Sequence, residues 1–158
     1  MNDIQGIITA FAYDKSESIV FAPVGSVKMN KFGCIDLSVF IIIETIGNKK
    51  RNFTISLLHT QSADEPNRVE VQNMVLKEFC VNSQEVSSMN GSHHNEYSLL
   101  PEFNTYRSHV RFNLKNIPCN GPGTYTLILN NLSLKEIEKN PPVVVTDYIS
   151  YYLFTVKE

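Results

Sequence analysis

The sequence has no tryptophan, and only four alanines in 158 residues. Scarce alanine removes the residue that best fills helices. Seven glycines and seven prolines are too few for a collagen-like or low-complexity chain. Neither sign of charge is in excess. Fourteen Lys and Arg stand against 16 Asp and Glu, a net charge of −2. That balance supplies no electrostatic basis for binding nucleic acid. The longest apolar run is Val39-Phe40-Ile41-Ile42-Ile43. A membrane-spanning helix requires roughly 20 such residues, so no membrane partner is expected. The first residues, Met1-Asn2-Asp3-Ile4, show no basic region and no apolar stretch of a secretory leader. A cytoplasmic protein is the expectation. Three cysteines, Cys34, Cys80 and Cys119, are odd in number and widely spaced. They fit neither a disulfide framework nor a zinc site and read as reduced, mostly buried thiols.

What the chain does have is β-forming residues. It carries 14 Val, 14 Ile, 9 Phe, 7 Tyr and 9 Thr, the types that suit a pleated, half-buried surface. These fall into segments with a period of two. The clearest is residues 34–46, where Ile35, Leu37, Val39, Ile41 and Ile43 make one wholly apolar face. Further strands are expected at 4–13, 19–28, 52–60, 68–80, 106–114, 124–130 and 143–156. The strand at 19–28 contains Pro23, which places it at an edge. The alternation at 68–80 slips after Val71, which predicts a bulge or a break near Asn73. Ser133-Leu134-Lys135-Glu136 matches a capping box and allows one helical turn. Residues 82–104 are polar and aperiodic and read as a long loop. The sum is a single all-β domain over residues 1–158. Its expected form is an antiparallel β-sandwich of about eight strands, jelly-roll-like or Greek key.

Five sets of side chains bear on function. Arg107, His109 and Arg111 project from one side of one strand and form a basic row able to hold a carboxylate, a phosphate or an acidic partner. His93 and His94 are the candidate metal ligands, with Glu96 nearby, although no H-E-x-x-H spacing exists. His59 closes an apolar face and reads as a hydrogen-bonded, partly buried side chain. Tyr97, Tyr106 and Tyr151 would form the platform if the domain bound carbohydrate, although the missing Trp weakens that reading. The last strand, with Tyr148, Tyr151, Tyr152 and Phe154, holds more large apolar area than one face uses.

Two stretches carry a resemblance. Thr9-Ala10-Phe11-Ala12-Tyr13-Asp14 resembles the first strand and turn of a group of small bacterial sandwich proteins, some related to phage genes. Pro122-Gly123-Thr124-Tyr125-Thr126-Leu127-Ile128-Leu129 is similar to the Pro-Gly turn and strand with an inward Tyr of many sandwich domains. The resemblance implies the fold only and brings no functional residues. No nucleophile turn, phosphate loop or clustered Asp set is visible. The expectation is a non-enzymatic binding module without a cofactor, taking a protein partner or a second copy of itself. Two alternatives are a carbohydrate- or small-ligand-binding sandwich and a metal-dependent enzyme using His93 or His94.

Overall fold

The computed structural model describes residues 4–13, 23–46, 50–60, 71–81, 86–87, 92–97, 105–131 and 148–158. The expected capping-box turn at 133–136 and the start of the last strand at 143–147 lie outside them. Every regular element among the described residues is a strand. The described residues hold ten rather than about eight: β1 (Ile4–Ala12), β2 (Ser26–Lys28), β3 (Cys34–Ile46), β4 (Arg51–Thr60), β5 (Val71–Val81), β6 (Val86–Ser87), β7 (Ser92–Tyr97), β8 (Thr105–Pro118), β9 (Gly123–Asn130) and β10 (Tyr148–Lys157). None of the described segments is a helix long and apolar enough to cross a membrane.

The strands form two sheets. One has the order β1-β3-β8-β7, the other β2-β10-β9-β4-β5-β6. All neighbours are antiparallel except β2, which runs parallel to β10. The expected strand at 34–46 is β3 to the residue, because its apolar face is continuous from Ile35 to Ile43 and all five of those side chains are buried. The expected long loop at 82–104 is corrected: it contains β6 and β7. Both are short and sit at the outer positions of their sheets. An edge strand is held by the backbone of one neighbour, so it can form without apolar alternation. Of the strand expected at 19–28, residues 19–22 lie outside the described residues, and β2 covers Ser26–Lys28 at an edge of its sheet. The expected bulge near Asn73 falls instead at Leu76, between the pairs Ile55↔Lys77 and Ser56↔Val75.

One hydrophobic core draws on both sheets. Ile8, Ala10, Leu37, Val39, Ile41, Val110 and Phe112 come from the first. Phe53, Ile55, Phe79, Tyr125, Leu127, Leu129 and Phe154 come from the second. Each fully buried aliphatic or aromatic side chain contributes about 1.5–3 kcal/mol. Phe79 and Phe112 join the sheets directly, with ring centroids 5.2 Å apart. Along one border the sheets also share hydrogen bonds. Val24 N donates to Ala10 O at 3.0 Å, and Ile8 N donates to Ser150 Oγ at 3.3 Å. Gly6 allows this approach. A Cβ there would sit 3.1 Å from Ile149 Cγ2 and 3.2 Å from Ile42 O.

The pairing of β3 with β8 is interrupted by a bulge between Ile35 and Leu37. Asn116 takes the left-handed conformation there, at φ 54°, a region Asn enters more readily than most residues. Its amide donates to Asp36 Oδ1 at 2.8 Å. The carboxylate thereby satisfies a donor that the bulge removes from the ladder.

Candidate functional site

The outward face of the first sheet carries the expected basic row. Arg107, His109 and Arg111 alternate with the buried Ser108, Val110 and Phe112, so the three do share a side. The row is not an open cationic ladder. Arg107 donates to Glu44 Oε1 from Nε at 2.8 Å and from Nη2 at 2.5 Å, and β3 places Glu44 directly opposite. The pair is exposed, so its contribution is about 0–1 kcal/mol. His109 meets the edge of Phe40, whose ring in turn meets Phe11, at centroid distances of 6.1 and 6.5 Å. The face is therefore an aromatic run crossing β1, β3 and β8, with Arg107 and Arg111 on either side of His109.

The proposed metal ligands sit next to this row in the backbone register. β7 pairs with β8 so that His93 is opposite Val110, His94 opposite His109 and Glu96 opposite Arg107. Among the described residues, no group of three or more His, Cys, Asp or Glu side chains is placed to hold a metal ion. Tyr97 is the register partner of Tyr106. The side chains of residues 92–97 and of Tyr106 lie outside the described set.

A second exposed region follows β10. Tyr148, Tyr151 and Leu153 are 42%, 51% and 55% exposed, whereas Phe154 and Val156 enter the core. Tyr152 turns inward and donates its hydroxyl to Val24 O at 2.5 Å. Burial pushes the Tyr152 phenol above its ordinary pKa. Tyr148 and Tyr151 meet edge to face, with centroids 5.4 Å apart and planes at 89°.

The third region was only half visible in the sequence. A cleft of about 310 Å³ lies beside the connection between β8 and β9. Leu57, His59 and Tyr125 form its buried floor, and Met74, Pro118, Cys119 and Asn120 line its sides. Cross-strand pairing puts His59 opposite Tyr125, and the rings stack at 4.2 Å with planes 6° apart. Tyr125 is held in turn by its hydroxyl, which donates to Gly121 O at 2.7 Å. Gly123 makes room for the imidazole: a Cβ there would lie 2.9 Å from His59 Nε2. The histidine is more fully buried than expected, and among the described residues its Nδ1 has no hydrogen-bond partner, so the expectation of a hydrogen-bonded, partly buried side chain is corrected. The space around it is filled by the Tyr125 ring and by Gly123 rather than by a polar partner.

Burial lowers the His59 pKa from its ordinary value of 6.5, since desolvation disfavours the charged form. The unfolded chain then binds a proton that the folded chain refuses. Stability therefore falls as pH drops through 6.5 and flattens below the folded pKa. Urea unfolding from pH 7.5 to 5 checks this. The His59→Gln variant is expected to show a shallower loss, and an identical slope would remove the assignment. Cys119 is raised to about 11 by burial first and by the neighbouring Cys34 second, while a hydrogen bond with Tyr125 opposes the rise. All three cysteines are free and half-buried rather than mostly buried.

No family model matches the chain, and no curated protein matches it. Among solved structures, a β-glucosidase from Listeria innocua in complex with gluconolactone is similar over 98% of this chain and 16% of that one, with 10% identity and a TM-score of 0.49. A mutant of that enzyme in complex with laminaribiose gives the same coverage and identity at 0.48. An alkylpurine DNA glycosylase from Pseudomonas fluorescens, bound to DNA with an abasic-site analogue, is similar over 100% of this chain and 31% of that one, at 8% identity and 0.46. The chain thus spans less than a third of the length of each. None of their chemistry transfers at such likeness.

Proposed function

We propose that the chain is a non-enzymatic β-sandwich interaction module that pairs with a second copy of itself through the outward row of β10. The sandwich reading is supported by the single core drawn from both sheets. Its strand order favours Greek key over jelly roll. With β1, β3, β8 and β7 as strands A, B, E and D, the second sheet reads G, F, C, C′ and C″ from β10 to β6, with β2 beyond strand G. That is the order of immunoglobulin variable-type sandwiches. Tyr125 supports it, since its bond to Gly121 O has the form of the tyrosine corner at the start of strand F. The antibody disulfide and tryptophan have no counterpart. Leu127 stands two residues after Tyr125, and the chain has no Trp.

One observation carries the functional reading: Tyr148, Tyr151 and Leu153 are all more than two-fifths exposed on one strand. Outward faces of antiparallel sheets are ordinarily polar, and interface cores favour Tyr. No charge interrupts the row from Tyr148 to Thr155, so two copies face each other without repulsion. Light scattering across a wide concentration range is the test. The mass is expected to approach twice the chain's 17.9 kDa, and Leu153→Lys is expected to return it to the monomer. A wild-type chain that stays monomeric at high concentration would end the proposal. The carbohydrate reading is less well supported. Tyr148 and Tyr151 stand perpendicular and offer a sugar no shared flat platform.

A further inference from the structure

We propose that the cleft over His59 and Tyr125 is a binding site for a small neutral molecule with an apolar body and one hydrogen-bonding group. The inference stands apart from self-association, because none of the cleft residues belongs to β10. Its volume of about 310 Å³ is at the lower end of small-ligand pockets. Leu57, Met74 and Pro118 supply apolar walls, and the exposed Asn120 amide supplies donors and an acceptor at the rim.

Charge decides the ligand class. Among the described residues the lining holds no Asp, Glu, Lys or Arg. The three titratable side chains of its floor and wall, His59, Tyr125 and Cys119, are all pushed by burial toward their neutral forms. A charged ligand would lose water there without gaining a partner. The second observation is His59 itself, 6% exposed, with an Nδ1 that no group among the described residues satisfies. Such a group costs about 1–3 kcal/mol when left alone. The imidazole occupies this place because Gly123 has no side chain to exclude it.

Indole is the probe, with indole-3-acetate and tryptamine as its charged counterparts. Amide NMR spectra of the full chain are expected to shift with added indole at residues 57–59, 74, 119–121 and 123–125, and to saturate. The charged counterparts are expected to bind at least about tenfold more weakly, a difference of roughly 1.4 kcal/mol. Met74→Trp and Asn120→Trp, at the sides of the cleft, are each expected to fill it and abolish the shifts. Tyr151→Ala is expected to leave them unchanged, which separates this site from the β10 row. Thermal unfolding establishes that each variant is folded. Absence of saturable shifts, equal binding of the charged probes, or indole binding retained in both folded Trp variants would each overturn the proposal.

Discussion

Phe112→Ala is expected to lower folding stability by about 3–5 kcal/mol, the largest effect of any single change in the core. Phe112 is fully buried on β8, opposite Val39 on β3. It reaches across the core to Phe79 on the other sheet, and Phe79 stacks on Phe53 at 5.4 Å. The ring is therefore a bridge between sheets and not merely a filler within one. Its removal takes away burial and opens a cavity where neither sheet can relax toward the other without bending. Urea unfolding measures it. A loss below about 1 kcal/mol, the scale of a peripheral site, would mean that the sheets do not meet at this ring.

Gly123→Ala is expected to be the second most costly change, although it adds one methyl group at the surface end of β9. Gly123 has φ +148°, a region essentially reserved for glycine, and forcing another residue there costs about 1–3 kcal/mol. The new Cβ would also lie 2.9 Å from His59 Nε2, and it must move the imidazole off the Tyr125 ring. The two costs are separable. In a His59→Ala background only the backbone cost remains, so Gly123→Ala is expected to destabilise less there than in the wild type. Equal losses in the two backgrounds would show that Gly123 and His59 are not coupled.

What could be read from the sequence follows from how local each cause is. The bounds of β3 were legible because every second residue from Ile35 to Ile43 is a large aliphatic. The inward direction of Tyr125 was legible for the same reason. The Glu44–Arg107 pair was not, since its members are 63 residues apart and only the register of β3 on β8 brings them together. β7 was hidden because its composition is that of a loop and its partner is backbone. The cleft was visible only as a lone His59 ending an apolar face. Its other walls come from Met74 on β5 and from the connection after β8, which no local pattern links to position 59.

The parallel pairing of β2 with β10 bears on how the domain would answer a mechanical load. The chain enters β2 before Ser26 and leaves β10 after Lys157, at opposite ends of the paired stretch. Tension between those two points pulls the strands past each other along their length. Thr155 N to Gly25 O and Met29 N to Lys157 O would then be strained together and must give way at once. An antiparallel hairpin pulled from its open end would instead surrender its bonds one at a time. A three-residue strand that adds little to the core thus acts as a shear clasp, and it joins the early part of the chain to the late part where the pull would fall.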